Sequence, residues 1–252
     1  MFVMTDLVTV IDEGPVRTIR MNRPEKKNAL TLAMYGAMAA AIESAQGNAD
    51  LRCLVIAGGP AFCAGNDIND FIQMAMQGGA LGAPILRFLY ALARNEKPLI
   101  AATRGDAVGV GTTMLLHCDY VVAGTDARFS TPFVGLGLVP EAASSLIAPR
   151  LMGQRRAFSL LVMGRPMNAE EAKDAGLINT IAAPESVDAE AVKTARAIAA
   201  LPPQGVLTAR RLMRGAPDDI IARIDEEAAL FKERLQSAEA RAAFQAFLTR
   251  KK

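Results

Sequence analysis

Residues 99–111, with the sequence LIAATRGDAVGVG, decide the fold class. The run 99–102 is apolar and typical of a buried strand, and a glycine-rich turn follows it at 105–111. Two more apolar runs repeat this pattern, at 53–57 and 120–123. Helices are predicted between and after these runs, at about 67–77, 84–94 and 110–117. Strands that alternate with helices predict a layered α/β domain.

The start of the chain adds one strand and one helix. Residues 16–21 alternate apolar and polar side chains, which predicts a strand. Thr31 can cap a helix that stops near Gly47.

The end of the chain is different, because Leu201-Pro202-Pro203 interrupts it and helical patterns follow. We therefore predict a core over residues 1–200 and a helical region over 201–252. One apolar stripe in this region consists of Ile220, Ile224, Ala228, Phe231 and Leu235, and a second of Phe244, Phe247 and Leu248. Charged residues fall off the first stripe: Arg223, Asp225, Glu227, Lys232 and Arg234.

Composition excludes several classes of protein. Of the 252 residues 51% are hydrophobic and 21% charged, and the net charge is +2, so we expect a folded domain without strong attraction to nucleic acid or acidic membranes. No apolar run reaches the roughly 18 residues of a membrane span. We see no secretory signal and no terminal Ser-Lys-Leu address, and we predict a cytoplasmic protein with free thiols at Cys53, Cys63 and Cys118.

Two glycine turns are candidates for a ligand site. The first, 62–68 (FCAGNDI), and the second, 105–111 (GDAVGVG), each follow a predicted strand and precede a predicted helix. Unpaired N–H groups at such helix starts can bind an anionic oxygen. Neither turn matches a phosphate-binding GxxxxGK loop or a complete dinucleotide fingerprint. No GxSxG is present, and we interpret the lone His117 as structural.

These motifs, taken in order, resemble the crotonase (enoyl-CoA hydratase/isomerase) superfamily. The resemblance is carried by Asn22-Arg23-Pro24 with Asn28-Ala29-Leu30, by FCAGNDI, GDAVGVG and CDYVVAG, and by Phe129-Ser130-Thr131-Pro132. It implies a crotonase-like spiral of ββα units followed by the helical region. It also implies a homotrimer or a dimer of trimers that binds an acyl-CoA thioester.

The resemblance further implies two backbone N–H groups that hold the thioester oxygen, which we assign to Ala64 and Val110. Such donors stabilise the negative charge that develops when a proton leaves the neighbouring carbon. The substrate-binding residues carried over from the family motifs are Ala64, Gly65, Asn66, Asp67, Ile68, Val110 and Phe133.

The departures from the family pattern indicate the reaction. The two glutamates of the hydratases would fall at Thr113 and Phe133, and neither residue can act as a base. Glu141, in Val139-Pro140-Glu141, resembles the catalytic glutamate of the Δ3,Δ2-enoyl-CoA isomerase branch, and we place it in the first turn of a helix. We expect Phe133 and Leu138 to exclude water and to raise the pKa of Glu141.

The resemblance thus predicts an isomerase of fatty-acid β-oxidation that converts 3-enoyl-CoA to trans-2-enoyl-CoA without a metal or redox cofactor. Two alternatives remain open. One is another enolate-forming reaction, such as hydration or isomerisation of an aromatic epoxide-CoA, and the other is a non-catalytic acyl-CoA-binding protein. Lys26, Lys27, Arg210, Arg211, Arg214, Lys251 and Lys252 are candidate contacts for the CoA phosphates.

Overall fold

The computed structural model of the protein describes residues 6–67, 70 and 81–250. Its strands are β1 Val8–Glu13, β2 Val16–Met21, β3 Cys53–Ala57, β4 Leu99–Thr103, β5 Asp106–Val108, β6 Tyr120–Gly124, β7 Arg128–Ser130, β8 Met167–Asn168 and β9 Thr180–Ala182. Its helices are α1 Leu32–Gln46, α2 Ala83–Arg94, α3 Val110–Thr113, α4 Ser144–Met152, α5 Gln154–Leu161, α6 Ala169–Asp174, α7 Val187–Ala199, α8 Pro203–Arg214, α9 Asp218–Leu235 and α10 Ala238–Arg250.

The strands form two sheets, and the chain passes from one to the other. The larger sheet has the order β1-β2-β3-β4-β6-β9, in which only the β1–β2 pair is antiparallel. The smaller sheet has the order β5-β7-β8. β4 in the larger sheet continues into β5 in the smaller one, and β6 continues into β7 in the same way. This repetition produces the predicted spiral.

Helices cover both faces of the larger sheet, so β3 and β4 are buried along their whole length. On one face, Cys53, Val55 and Ile100 pack with Ala191 and Ala195 of α7. On the other face, α1 and α2 cover the main core. Strands buried on both faces are expected to be continuously apolar, which explains the runs in the sequence.

The predicted elements occur with small changes of boundary. Thr31 caps α1, since its side-chain oxygen accepts from the Met34 N–H, and Gly47 ends the helix. The helix predicted at 110–117 is α3 followed by a 3-10 helix, Met114–His117. The helix predicted at 67–77 lies mostly outside the described residues. The three cysteines are free thiols, and none of the described helices is long and apolar enough to cross a membrane.

The C-terminal helices confirm most of the predicted stripe, but one charged residue that was predicted off the stripe is buried. α8 begins at Pro203, as the proline pair predicts, and Ile224, Phe231 and Leu235 of α9 are buried. Glu227, which we placed off this stripe, is only 5% exposed. Phe244 of α10 packs against the core, whereas the side chains of Phe247 and Leu248 lie outside the described set.

Candidate active site

The two glycine turns are joined through their backbones. The Cys63 N–H donates to the Asp106 carbonyl at 3.0 Å, and the Val108 N–H donates to the Cys63 carbonyl at 2.8 Å. Gly111 approaches so closely that a Cβ there would lie 2.7 Å from the Cys63 oxygen. Gly65 has φ +90°, which favours glycine. The chain after Cys63 therefore runs beside the chain that begins α3.

The structure corrects one of the two predicted backbone donors. The Ala64 N–H donates to the Lys27 carbonyl at 2.9 Å and is therefore occupied. Leu30 pairs with the residues on either side of Asn66: its N–H donates to the Gly65 carbonyl, and its carbonyl accepts from the Asp67 N–H. In such a parallel pair the N–H of the middle residue, Asn66, faces away from Leu30. Within the described residues, neither the Asn66 N–H nor the Val110 N–H has a hydrogen-bond acceptor.

The side chains beside Gly65 hold this turn in place. Asn66 accepts a hydrogen bond from the buried Tyr35 hydroxyl at 2.6 Å. Asp67 forms a 2.7 Å ion pair with Arg23, which connects the turn to the Asn-Arg-Pro motif. Asp67 is therefore a structural anchor of the turn. Ile68, also predicted to contact substrate, lies outside the described residues.

Glu141 faces the second turn from an interior position. It is 4% exposed, and its Oε1 accepts a 2.5 Å hydrogen bond from the Thr113 hydroxyl. Burial raises the pKa of Glu141 to about 7, a rise that the Thr113 hydrogen bond opposes and the charge of Glu227 increases. The first-turn assignment of Glu141 was wrong, because α4 begins at Ser144, after two left-handed residues.

Several groups place Glu141 beside the first turn as well. Burial raises the pKa of Tyr35 well above its ordinary value and that of Cys63 to about 12, and the negative charge of Glu141 adds to both shifts. Phe133 is buried, with a ring carbon 3.8 Å from where a Cβ of Gly109 would lie. Leu138 is buried too. The arrangement thus combines a proton-accepting carboxylate, two N–H donors without an acceptor in the described part of the chain, and apolar surroundings.

The two residues after Glu141 are held in an unusual conformation. Ala142 has φ +63° and Ala143 has φ +54°, values that L-residues with a side chain rarely adopt. His117 Nε2 lies 2.8 Å from the Ala142 carbonyl, so this ring nitrogen is the donor, and burial lowers the pKa of His117 to about 4. His117 is therefore structural, as predicted.

Glu227 of α9 reaches the same segment, and the sequence analysis missed it. Its carboxylate accepts from the Ala143 N–H at 2.6 Å and from the Ser145 hydroxyl at 2.6 Å. A signal was available, since Glu227 lies three residues after Ile224 and four before Phe231 and therefore shares the apolar face.

A family model described as enoyl-CoA hydratase/isomerase matches residues 12–252. The chain belongs to the enoyl-CoA hydratase/isomerase family. OdaA of Pseudomonas aeruginosa has a similar structure, with a TM-score of 0.92 and 42% identity over 97% of this chain and 99% of that one. The chain therefore has the crotonase fold, and an acyl-CoA thioester is the ligand class that the family implies.

Curated members of the enoyl-CoA hydratase/isomerase family with different activities are similar to this chain. The 1,2-epoxyphenylacetyl-CoA isomerase of Escherichia coli is 34% identical over 181 residues, which cover 69% of each chain. Enoyl-CoA delta isomerase 2 of Rattus norvegicus is 36% identical over 178 residues, which cover 69% of this chain and 46% of that protein. The similarity thus establishes the family but not one reaction within it.

Three of the five described candidate CoA contacts of this family member have partners inside the protein. Lys27, largely exposed, lies 3.2 Å from Asp106, and Arg210 forms a 2.7 Å ion pair with Asp119. Arg214 donates to the His117 carbonyl at 3.0 Å. Lys251 and Lys252 lie outside the described residues. Among the described side chains, no three His, Cys, Asp or Glu residues are grouped in a way that would hold a metal ion.

Proposed function

We propose that the protein converts 3-enoyl-CoA to trans-2-enoyl-CoA through a thioester dienolate, a step that admits unsaturated chains to β-oxidation. One observation carries the proposal: the buried Glu141 carboxyl group, whose pKa burial raises to about 7, is hydrogen-bonded to Thr113 just after the second turn, and the Asn66 and Val110 N–H groups of the two turns have no acceptor among the described residues. A base whose pKa is near the working pH is suited both to remove and to return a proton.

The reaction requires Glu141 to move one proton. Thr113 fixes Oε1, so Oε2 is the oxygen available to take the proton from C2 of the acyl chain. The electron pair of the broken C–H bond passes into the conjugated dienolate, whose charge lies largely on the thioester oxygen. The protonated Glu141 then donates to C4, and the double bond ends between C2 and C3.

The donors stabilise the dienolate rather than the substrate. We assign them to the N–H groups of Asn66 and Val110, in place of the Ala64 and Val110 pair expected from the sequence. Loss of one donor of this kind typically costs roughly 2.7–4 kcal/mol of activation free energy. Since both donors belong to the backbone, the side chains of Asn66 and Val110 need no acid–base chemistry.

The hydratase alternative lacks its two carboxylates. Thr113 is engaged with Glu141, and Phe133 is an apolar buried residue. This support favours one-base proton transfer over addition of water. Isomerisation of an aromatic epoxide-CoA is the second candidate, since the similar Escherichia coli protein carries that name at 34% identity.

Assembly as a homotrimer or a dimer of trimers is part of the proposal. Leu212 and Met213 of α8 are 78% and 87% exposed, which is unusual for large apolar side chains. Burial of Leu212 and Met213 between subunits would remove their apolar surface from water, which is favourable. Light scattering on the purified protein measures the mass directly.

The test uses 3-hexenoyl-CoA that carries two deuterium atoms at C2. We expect trans-2-hexenoyl-CoA in which part of the deuterium has moved to C4, because one shielded carboxyl group both takes and returns it. The controls are crotonyl-CoA for hydration and 1,2-epoxyphenylacetyl-CoA for the second candidate. If the protein turns over either control and not 3-hexenoyl-CoA, the proposed function is wrong.

A further inference from the structure

We propose that Glu227, on the C-terminal helix α9, is a positioning residue for the base Glu141. It holds residues 142–145 in the one conformation that directs the Glu141 carboxyl toward Thr113 and the two glycine turns. The inference rests on the proposed function, in which Glu141 transfers the proton. It assigns a role in the active site to a helix that contributes no residue to the chemistry.

The contacts of Glu227 account for both of its oxygens. Oε2 accepts from the Ala143 N–H, and Oε1 accepts from the Ser145 N–H at 3.0 Å and from the Ser145 hydroxyl. α4 has no cap of its own, because its N-cap residue is Ala143. Glu227 therefore supplies, from 82 residues away, the acceptor that a helix start normally finds locally.

The backbone beside Glu141 needs to be held. Ala142 and Ala143 both adopt the left-handed conformation, which alanine occupies only when its surroundings impose it. Two buried contacts do so: His117 on the Ala142 carbonyl and Glu227 on the Ala143 N–H. Without Glu227 the pair can relax toward an ordinary conformation, and rotation there moves the attached Glu141.

Glu227 also acts on Glu141 through its charge. The charged groups that act on Glu227 or respond to it are Arg223, one turn earlier on α9 and itself paired with Glu226, and Glu141. Two other charged residues of α9 have partners elsewhere, Asp225 with Tyr90 of α2 and Arg234 with Glu239 of α10. Burial is the main cause of the raised pKa of Glu141, and the negative charge of Glu227 adds to it by disfavouring ionisation of a second carboxyl group.

The kinetic test compares Glu227→Gln with Leu235→Ala in the full-length protein. Leu235 is a buried residue of the same helix, so its truncation lowers stability while the hydrogen bonds of Glu227 to Ala143 and Ser145 remain. We expect Glu227→Gln to lower kcat for 3-hexenoyl-CoA about ten- to hundredfold, with KM changed less than about threefold, since misplacement by about 1 Å has effects of this size. The acid limb of its pH profile should move to lower pH.

A readout that does not depend on turnover separates the two proposals. In Glu227→Gln, hydrogen exchange of the amides of Ala143 and Ser145 should accelerate, while Leu235→Ala leaves them protected at the same temperature below its Tm. Normal exchange and kcat in Glu227→Gln would overturn the positioning role, as would equal losses of kcat in both variants. If Glu227→Gln does not fold, Glu227→Asp keeps the charge, shortens the reach and gives the same two readouts. A wild-type protein without isomerase activity would instead refute the proposed function.

Discussion

The two sides of the candidate active site are held together by different means. The side that carries the donors, residues 62–67 and 105–113, is joined by backbone hydrogen bonds and by glycine contacts. The side that carries the base, residues 139–145, is held by side chains that come from Thr113, His117 and Glu227. The donor side depends on backbone pairing and a close glycine contact as well as on the Asn66 and Asp67 side chains, whereas three side-chain contacts hold the base side.

This difference separates two kinds of substitution. On the donor side, an added Cβ at Gly111 forces the turns apart, whereas loss of the Asn66 or Asp67 side-chain contact leaves the backbone hydrogen bonds between the turns in place. On the base side, the backbone already bears the strain of two left-handed alanines, and loss of one side-chain contact releases it. Substitutions on each side therefore test whether the donor side and the base side are held together by these different contacts.

The largest effect is expected at the base itself. Glu141→Gln keeps the size of the side chain and removes its ability to accept a proton from C2. We predict that kcat/KM for 3-enoyl-CoA isomerisation falls at least ~10²-fold, the low end of general acid–base contributions. Binding of a saturated acyl-CoA, measured by calorimetry, should change little, because that ligand does not need the base.

Near-normal turnover by Glu141→Gln would place the base elsewhere. Thr113→Ala is the paired variant and should lose far less activity, since Thr113 only orients Glu141. Because the Thr113 hydrogen bond lowers the pKa of Glu141, its removal should shift the acid limb of the Thr113→Ala pH profile to higher pH.

The next largest effect is expected on the donor side, at Gly111. A Cβ at this position would lie 2.7 Å from the Cys63 oxygen and 2.8 Å from the Cys63 Cβ, so the two turns must separate. We predict that Gly111→Ala lowers kcat/KM by about 10²-fold, the size of the loss of one oxyanion donor. Gly36→Ala is the matched control, because a Cβ there would meet nothing within 4 Å. Equal activity of the two variants would contradict the close joining of the turns.

The two sides also differ in how well the sequence predicts them. The glycine turns are local features, and their positions and the strands before them were predicted from 62–68 and 99–111. The sequence did not predict which N–H group lacks an acceptor. The Ala64 N–H donates to Lys27, and pairing with Leu30 turns the Asn66 N–H away; Lys27 and Leu30 are both distant from this turn in sequence. Glu141 was identified by its motif alone.

The supports of Glu141 are long-range and left a weak signal in the sequence. Glu227 lies 86 positions after Glu141 and looks like an ordinary charged residue at the edge of an apolar stripe. Its burial follows from its contacts with the start of α4, which depend on how α9 packs. Local patterns predict elements, whereas the partner of a buried carboxylate depends on tertiary packing.

A further prediction concerns stability on the base side. The pKa of Glu141 is about 7 in the folded protein and 4.5 for the free side chain, so the folded state keeps this proton to higher pH than the unfolded state does. The contribution of Glu141 to the free energy of unfolding therefore decreases as the pH rises from 4.5 to 7, against an opposite contribution from the lowered pKa of His117 that wild type and variant share. Glu141→Gln lacks this loss, and its stability relative to wild type should increase by about 3 kcal/mol over that window.

Urea unfolding at pH 4.5 and at pH 7.5 measures this difference. The exposed Glu170→Gln is the matched control, because it removes an acid from the surface and not from the interior. If the stability of Glu141→Gln relative to wild type is the same at both pH values, folding does not raise the pKa of Glu141, and the base side lacks the buried carboxyl group of raised pKa on which the proposal depends.

The smallest effect isolates the strain in the backbone after Glu141. Ala143→Gly and Ala148→Gly each remove a fully buried methyl group and each add freedom to the unfolded chain, but only Ala143 is left-handed, whereas Ala148 lies inside α4. The left-handed conformation costs an L-residue roughly 1–2 kcal/mol that glycine does not pay. Ala148→Gly should therefore destabilise the protein by about 1–2 kcal/mol more than Ala143→Gly, as measured by urea unfolding. Ala143→Gly should nevertheless lower kcat, because a glycine beside the base frees the segment that Glu227 and His117 hold. Equal destabilisation by both variants would show that the alanine pair is unstrained, and would remove the reason for long-range supports on this side of the site.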